Sequence, residues 1–245
     1  MAKKRLDTLL SERGLATTRE RSRALILAGQ VKVNGSVVSK AGTPVADDAS
    51  IELVTPDHPY VGRGGIKLAH ALDVFEIAVT GRSALDIGAS TGGFTDVLLQ
   101  RGAASVVALD VGHGQLDWRL RNDPRVIVKE GINARALSKS DVPQPVDLVT
   151  IDVAFISLRH ILPALPPVLA PAADIVALVK PQFEAGRDQV GKGGIVTDPS
   201  VHEAVVAQVT TAAIGSGLSR LAMTPSPITG AEGNREFFLH LRAAS

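Results

Sequence analysis

The sequence predicts an α/β protein with a doubly wound, mostly parallel β-sheet and a small α+β domain before it. From Ser83 onward, short β-branched segments alternate with longer amphipathic segments, which is typical of βαβ units with helices on both faces of a sheet. A glycine-rich turn follows the first of these segments, at residues 88–93. Residues 1–40 carry a net charge of +6 and the remainder carries −5, which indicates a separate basic head that meets a polyanion.

The strands of the predicted sheet are short and apolar. They lie at residues 84–87, 106–109, 126–128, 146–151 and 174–179, and residues 218–223 and 237–241 could add a hairpin at one edge. Ligands of such sheets bind at the carboxyl ends of the strands. The residues that follow each strand are therefore the candidates for function.

Composition excludes several classes of protein. The chain has 45% hydrophobic and 21% charged residues, as a globular protein has. It contains no cysteine, which excludes disulfides, thiolate zinc sites and cysteine nucleophiles. No apolar run approaches the roughly 20 residues of a membrane span, and the basic start is not followed by a signal-peptide segment. We therefore expect a cytoplasmic protein that does not enter a membrane.

The head shows signals for two helices and a small sheet. Residues 17–20 (Thr-Thr-Arg-Glu) match a capping box before a helix that ends at Gly29, and a shorter helix is expected around Leu6. Asn34-Gly35 lies between alternating residues and predicts a hairpin. Two prolines within residues 55–59 indicate a linker. We therefore expect two domains, residues 1–58 and 59–245.

Several short motifs of the head resemble the S4 RNA-binding domain. They are Arg5-Leu6-Asp7, Ser22-Arg23, Leu25-Ile26, Gly29 and Val31-Lys32-Val33-Asn34-Gly35, within about residues 3–55. In that family the two helices present Arg and Lys side chains to structured RNA. The resemblance therefore implies RNA binding by Arg5, Arg19, Arg21, Arg23 and Lys32, and we add Arg63, which lies shortly after the head.

The turn after the first strand favours S-adenosylmethionine over a dinucleotide. Its spacing is Asp-x-Gly-x-x-x-Gly-Gly, from Asp86 to Gly93, and not the G-x-G-x-x-G of dinucleotide sites. Asp110 ends the second strand, where a carboxylate can accept both ribose hydroxyls. The segment from Asp110 to Leu120, which carries the only tryptophan, and Asn133 are expected near the adenine, although Trp118 taken alone is interpreted as a packing residue. The candidate cofactor-binding residues are Asp86, Gly88, Ser90, Thr91, Gly92, Gly93, Phe94, Asp110, Val111, Asn133 and Asp152.

Four charged residues could converge on one active site. Asp152 ends the fourth strand, Lys180 ends the fifth, Glu236 opens the last, and Lys67 lies in the helix before the first strand. We expect no catalytic metal, because the histidines lack a ligand spacing such as His-x-x-x-His. Ser157 is not in a Gly-x-Ser-x-Gly elbow, so the sequence does not support hydrolase chemistry.

These four residues resemble the Lys-Asp-Lys-Glu tetrad of FtsJ-type ribose 2′-O-methyltransferases. Longer strings, which together with the head cover essentially the whole chain, are similar to the TlyA family, also called hemolysin A. The strings are YVGRGGIKL (60–68), GHGQL (112–116), VKPQFEAGR (179–187), VGKGGIV (190–196) and GNREF (233–237). Ala154 stands where the family usually has Ser, and Gly131-Ile132-Asn133 replaces a more polar run.

The resemblance implies a class I, Rossmann-like, S-adenosylmethionine-dependent enzyme that methylates the ribose 2′-oxygen of cytidine in ribosomal RNA. Lys67, Asp152, Lys180 and Glu236 would be its catalytic residues. A ribose hydroxyl is a poor nucleophile, so it must be aligned with the methyl group and must lose its proton. Lys180 could act as the base or could orient the hydroxyl. The expected partner is ribosomal RNA or a ribosomal subunit, and a monomer is favoured.

Two other functions stay open. The hemolysin name suggests a membrane-lytic protein, although the long apolar span or strongly amphipathic basic helix that lysis requires is absent from the sequence. A protein with the same fold could also bind RNA during ribosome assembly without catalysis. An assay of methyl transfer would separate these functions.

Overall fold

The computed structural model describes residues 3–54, 58–230 and 232–244. The chain divides into two compact units, Met1–Pro59 and Tyr60–Ser245. We refer to them as the head and the body. Residues 55–57, which belong to the predicted linker over residues 55–59, lie outside the described residues.

The head contains two helices and two small sheets. Its elements are β1 (Lys3–Arg5), α1 (Leu6–Glu12), α2 (Arg19–Leu27), β2 (Val31–Val33), β3 (Ser36–Val37), β4 (Pro44–Ala46) and β5 (Ile51–Leu53). Strand β1 pairs antiparallel with β4, and β2 lies between β3 and β5. Leu6, Leu10 and Ile26 are fully buried and form a core with Val31. The head therefore has a hydrophobic core of its own.

The sequence signals of the head predict most of its local structure. The hairpin between β2 and β3 is confirmed, and its Asn34 and Gly35 have φ of 49° and 82°, as a type I′ turn requires. The predicted capping box is wrong, because the helix begins one residue later than the prediction placed it. The Thr18 hydroxyl accepts a hydrogen bond from the Arg21 backbone N–H at 3.0 Å, so Thr18 caps α2 and the third helical residue is Arg21, not an acid.

The body contains a seven-stranded sheet. Its elements are α3 (Gly64–Val74), β6 (Ser83–Ile87), α4 (Gly93–Gln100), β7 (Ser105–Asp110), α5 (Trp118–Arg121), β8 (Val126–Glu130), β9 (Val146–Ile151), β10 (Leu169–Val179), α6 (Pro181–Glu184), α7 (Pro199–Gly215), β11 (Leu218–Pro225) and β12 (Phe237–Ala243). The strand order is β11-β12-β10-β9-β6-β7-β8. The five strands from β10 to β8 are parallel. Strands β11 and β12 form the antiparallel hairpin at one edge, which confirms the predicted fold class.

Both faces of the sheet are covered, because alternate side chains of each strand enter different cores. In β10, Ile175 and Ala177 pack with α7 and the turns before β10. Val176 and Leu178 pack with α3 and α4 on the other face. Strands that are buried on both faces require continuous apolar sequence, which explains why these segments could be recognised.

The strand order places a ligand crevice at one position. Strand β6 lies between β7 and β9. The chain adds β7 and β8 on one side of β6 and then crosses back to add β9 and β10 on the other side. Ligands of open α/β sheets bind outside the carboxyl ends of the strands at such a switch point. The strand order therefore predicts a ligand site beyond Ile87 and Ile151, where β6 and β9 end.

No helix in the described ranges is long and apolar enough to cross a membrane. Nor do residues 3–54, 58–230 and 232–244 bring together three or more His, Cys, Asp or Glu side chains that could hold a metal ion.

Candidate active site

The ends of β6 and β9 touch at Gly88. This residue has φ of 84°, and a Cβ built on it would lie 2.2 Å from the backbone oxygen of Asp152. The Asp152 N–H donates to the Ile87 carbonyl oxygen at 2.9 Å. No residue with a side chain fits here without moving backbone. The glycine therefore lets the strand end that carries Asp152 approach the turn after β6.

A cleft of about 510 Å³ opens beside this contact. It lies at the carboxyl ends of β6, β7, β8 and β9, as the strand order predicts. Six of the candidate cofactor residues line it: Gly88, Ser90, Asp110, Val111, Asn133 and Asp152. The other lining residues are Ile87, Leu109, Gln115, Ile132, Ala134, Arg135, Val153, Ala154, Phe155, Ile156 and Ile161.

The Asp110 carboxylate is held by backbone groups on one side of the cleft. Its two oxygens accept hydrogen bonds from the Ser90 N–H at 2.8 Å and the Gly112 N–H at 2.7 Å. Each carboxylate oxygen has a second lone pair, so the group can still accept from ligand hydroxyls. Asn133 begins the turn after β8, where its side-chain oxygen accepts from the Arg135 N–H at 3.1 Å.

Five of the candidate cofactor residues do not line the cleft: Asp86, Thr91, Gly92, Gly93 and Phe94. Phe94 is buried and its ring lies 6.2 Å from that of Phe238. Cβ atoms at Gly92 and Gly93 would lie 2.2 Å from Leu120 Cδ1 and 3.1 Å from the Gly65 nitrogen. These two glycines let α5 and α3 pack closely against the turn.

Asp86 lies inside the sheet below the cleft. Its side chain is fully buried and accepts hydrogen bonds from the Thr95 hydroxyl at 2.7 Å and the Thr150 hydroxyl at 3.0 Å. Burial raises the pKa of this carboxyl to about 6, although the two threonines oppose the increase. The charge of Asp152 adds to it. Asp86 is thus a buried acid behind the turn.

Lys180 and Asp152 form an ion pair at the carboxyl ends of β10 and β9. The Lys180 Nζ lies 2.5 Å from Asp152 Oδ1. The two side chains are 14% and 22% exposed, so solvent and ligands can reach them. Since Asp152 also lines the cleft, this amine lies next to it.

A second pair joins α3 to the start of β12 and is more deeply buried. The Lys67 Nζ donates to Glu236 Oε2 at 2.5 Å, and the two side chains are 9% and 2% exposed. Charges this far from water are retained only when they are paired. The Glu236 side chain is also enclosed by Gly230, where a Cβ would lie 2.6 Å from Glu236 Oε1.

The two pairs lie at the same edge of the sheet. The last register pair of β10 and β12 is Val179 with Phe237, so Lys180 and Glu236 are the next residues beyond it. A Cβ at Gly64 would lie 3.9 Å from Asp152 Oδ2. Lys67 is three residues further along α3, on the same helix face. The structure thus brings all four residues of the expected tetrad to one edge of the sheet, and one of them, Asp152, lines the cleft.

Two side chains at this rim were not expected from the sequence. Phe155 is 92% exposed, has φ of 63° and lines the cleft. Its ring lies 5.1 Å from that of Phe183. The cleft therefore has an exposed aromatic ring at its edge. The signal in the sequence was its position three residues after Asp152, at a strand end.

Glu184 is the second unexpected residue. It joins the segment that follows Asp152 to the segment that follows Lys180. It is buried, and its carboxylate accepts from the Ser157 hydroxyl at 2.5 Å and the Leu158 N–H at 2.6 Å. Burial raises the pKa of the Glu184 carboxyl, although these two hydrogen bonds oppose the increase. The loop after β9 is therefore tied to α6.

The candidate RNA-binding residues have different surroundings. Arg5 and Arg19 contact Asp7, and Arg21 donates to the His58 carbonyl oxygen at 3.3 Å. Arg23 is exposed and Lys32 is half-buried. In the body, Arg63 donates to the Thr229 carbonyl oxygen at 3.1 Å.

The interpretation of Trp118 as a packing residue is wrong, because its side chain is 71% exposed. Trp118 begins α5, a single turn of helix. A four-residue helix buries few side chains, and only Leu120 of this one is buried.

Comparison with known proteins agrees with this geometry. The family of FtsJ-like methyltransferases matches residues 60–243 and the S4 domain matches residues 4–51. The 16S/23S rRNA (cytidine-2′-O)-methyltransferase TlyA of Mycobacterium tuberculosis is 50% identical over 97% of this chain and 89% of its own length. Hemolysin A of Brachyspira hyodysenteriae is 42% identical over 96% of this chain and 98% of its own.

A solved structure is similar over the whole chain. It is a candidate hemolysin from Streptococcus thermophilus, with 46% identity, a TM-score of 0.79 and coverage of 100% of this chain and 90% of its own. Sequence, domain content and fold therefore agree. The chain, which joins an S4 domain to this fold, belongs to the FtsJ-like methyltransferases and, among them, to the TlyA (hemolysin A) family.

Proposed function

We propose that this protein transfers a methyl group from S-adenosylmethionine to the ribose 2′-oxygen of cytidine in ribosomal RNA. The observation that carries the proposal is the Lys180–Asp152 ion pair at the cleft beside Gly88, with Lys67–Glu236 at the same sheet edge. The relative from M. tuberculosis, which is named for this reaction on 16S and 23S rRNA, supports the choice of substrate.

The cleft fits a nucleoside cofactor. Gly88 lets the strand end that carries Asp152 form one wall of the cleft, and Asp110 has free lone pairs that could accept the two ribose hydroxyls. Val111 is 70% exposed at the cleft and offers an apolar surface for a purine ring. When bound, S-adenosylmethionine would supply an electrophilic methyl group on its sulfonium. The turn residues Thr91, Gly92, Gly93 and Phe94, with Asp86 behind them, would shape this cleft without touching the ligand.

The tetrad would align the ribose hydroxyl and remove its proton. In our proposal, the Lys180 amine would first release its own ammonium proton to solvent, which its partial exposure allows, and would then accept the proton of the 2′-hydroxyl, while the bound cofactor would supply the methyl group to the 2′-oxygen. Asp152 holds the amine in place through the observed ion pair. Lys67 and Glu236 fix the neighbouring wall, because their pair links α3 to β12. Positioning and proton transfer are the two contributions that such a reaction needs.

Phe155 would bind the base of the target nucleotide. Its exposed ring lies at the rim that carries Asp152, where a base turned out of its stack would lie beside its own ribose. Single-stranded bases stack on exposed aromatic side chains in many RNA-binding proteins. The same residue would thus place the sugar of the target within reach of Lys180.

We further propose that residues 1–58 are the RNA-binding domain and residues 59–245 the catalytic domain of a cytoplasmic monomer. Arg5, Arg19, Arg21, Arg23, Lys32 and Arg63 would contact phosphates of ribosomal RNA or of a ribosomal subunit. The uneven charge of the chain supports this division, because the basic residues are concentrated before residue 41.

Variants of Lys180 test the reaction. Lys180→Ala should abolish transfer of labelled methyl to ribosomal RNA, while binding of S-adenosylhomocysteine, measured by calorimetry, stays close to that of the wild type. Lys180→Arg keeps the charge but cannot accept a proton, so it should also be inactive. Lys139→Ala, at an exposed lysine away from the cleft, is the matched control and should be fully active. Full activity of Lys180→Ala would remove Lys180 from the mechanism, and activity of Lys180→Arg would make it an orienting group.

The position of the label tests the substrate. A methyl group on the ribose 2′-oxygen protects the next phosphodiester from alkali, so the label should be recovered in alkali-resistant dinucleotides that begin with cytidine. Label on a base, or no label with either ribosomal subunit or naked RNA as substrate, would contradict the proposal.

A further inference from the structure

In the described part of the head, Asp7 is a fully buried acid that the proposed function does not use. It lies in the first turn of α1 with none of its side chain exposed. Burying a carboxylate is costly unless it is paired. Hydrogen bonds from Arg5 lower the pKa of the Asp7 carboxyl to about 2 despite its burial, and the charge of Arg19 adds to this decrease. Asp7 is therefore ionised at every physiological pH.

Two arginines share this single carboxylate. Arg5 donates through Nε to Asp7 Oδ1 at 3.0 Å and through Nη2 to Oδ2 at 2.8 Å. Arg19 donates through Nε to Oδ2 at 3.4 Å. One arginine would suffice to neutralise Asp7. The second leaves the group of three side chains with a net positive charge, and Asp7 fixes the guanidinium plane of Arg5 through two hydrogen bonds and orients Arg19 through one.

The outer sides of both guanidinium groups are available to a ligand. Their side chains are 52% and 53% exposed. A guanidinium has five N–H donors; Asp7 takes two from Arg5 and one from Arg19, which leaves three and four. Gly42 contributes to this access, because a Cβ there would lie 3.0 Å from Arg5 Nη1.

Other basic residues of the head are engaged differently. Lys4 pairs with Glu12 at 2.8 Å and with Asp47 at 3.5 Å. Arg13 donates to the carbonyl oxygens of Asp47 and Ala49. In the described part of the head, Arg5 and Arg19 thus differ from these two residues in that they combine fixed orientation, free donors and excess charge.

We propose that Arg5 and Arg19 form a two-arginine fork that binds one phosphodiester group of structured RNA, with Asp7 as the positioning residue behind it. The ligand class follows from chemistry: paired guanidinium groups match the oxygens of phosphate, and the open surface suits a backbone phosphate better than an enclosed small molecule. The proposal rests on the proposed function in that RNA is the substrate. Beyond that function, the fork identifies the guanidinium groups of Arg5 and Arg19 as the donors to one phosphate. It also means that an acid, Asp7, strengthens RNA binding by orienting them.

The sign of one mutational effect tests the fork. If only overall charge mattered, Asp7→Asn would tighten RNA binding, because it removes a negative charge. The fork predicts the opposite, since the Asn amide nitrogen is a donor and cannot accept from a guanidinium. We expect Kd for a fluorescein-labelled RNA hairpin, cut from ribosomal RNA, to rise about tenfold, the equivalent of one charge-assisted hydrogen bond. Fluorescence anisotropy with the full chain measures it.

A matched control and a second pair of variants complete the experiment. Glu20→Gln makes the same charge change at an exposed acid next to Arg19 and should leave Kd unchanged or lower it. Arg5→Lys and Arg19→Lys keep the charge but lose the planar fork; each should raise Kd while the salt dependence stays the same. If thermal unfolding shows that Asp7→Asn disrupts the head, these two variants decide. In methyl transfer, all three should raise KM for RNA and leave kcat unchanged.

The outcomes separate the inference from the proposed function. A wild-type chain that does not bind the hairpin would contradict RNA as the substrate. A wild-type chain that binds, with a folded Asp7→Asn variant that binds equally or more tightly, would overturn the fork alone. Lysine variants that bind as tightly as the wild type would overturn it as well.

Discussion

Replacing Asp86 by Asn should stabilise the body at neutral pH. The pKa of this buried carboxyl rises from its ordinary 3.8 to about 6. At about 1.4 kcal/mol for each pH unit, the folded state loses about 3 kcal/mol when Asp86 ionises within it. Asn has no charge to bury, and it can accept from one of Thr95 and Thr150 and donate to the other. We therefore expect a gain of about 2 to 3 kcal/mol above pH 6.

The pH dependence of this gain has a defined sign. Below pH 3.8 the carboxyl is protonated in both states, so wild type and variant should differ little from this cause. Between pH 3.8 and about 6 the unfolded chain releases its proton before the folded one does, and the stability of the wild type falls relative to the variant as the pH rises. Above about 6 the difference is complete and constant.

Urea unfolding of both proteins, followed by far-UV circular dichroism at a series of pH values, measures this difference. Other titrating groups cancel in the comparison between the two proteins. Glu203→Gln, at an exposed acid of α7, is the control and should show no pH-dependent difference. The reasoning is refuted if Asp86→Asn is less stable than the wild type at pH 8, or if the difference does not change between pH 4 and pH 7.

Three further predictions concern the residues around the cleft. Glu236→Ala leaves the Lys67 ammonium buried without its partner and should lower the free energy of urea unfolding by about 3 to 5 kcal/mol. Adding Lys67→Met should recover most of that loss without restoring methyl transfer. A double variant as unstable as the single one would contradict this. Phe155→Ala removes a 92% exposed ring and should lower kcat/KM for RNA about tenfold, as loss of one stacked base does, with unchanged affinity for S-adenosylhomocysteine; an unchanged kcat/KM would show that no base stacks there. Gly88→Ala should weaken cofactor binding and lower stability more than Gly81→Ala does. Both glycines have positive φ, but only a Cβ at Gly88 would meet backbone atoms, those of Asp152. Equal effects of the two substitutions would show that Gly88 is needed only for its positive φ.

The sequence was most informative where a local physical rule applies. The apolar strands could be recognised because burial on both faces leaves no room for polar residues in their centres. The start of β10 was missed: it begins at Leu169, five residues before Asp174, and its first residues are partly or fully exposed. Pairing with a neighbouring strand, which no local pattern encodes, extends it there.

The candidate site was predictable as a set of strand ends, but not as a set of contacts. Asp152 and Lys180 could be placed at one edge because parallel strands end together, whereas Lys67, in a helix, and Glu236, before an antiparallel strand, could be added only through the family resemblance. Which lysine pairs with which acid depends on strand order, and that places Lys180 with Asp152 and Lys67 with Glu236. The burial of Asp86 and the exposure of Phe155 depend on how α4 and the loop after β9 pack, and composition carries no signal for either.

Glu236 is separated from Lys67 by 169 positions and is brought beside it by the last strand of the sheet. During translation, Lys67 emerges from the ribosome long before its counter-ion exists. A nascent chain can therefore bury that lysine without an unpaired charge only after synthesis has passed β12. A premature stop codon between positions 60 and 236 would yield a product that keeps the head but lacks a complete tetrad, so such truncations should behave as catalytic nulls and not as partially active enzymes.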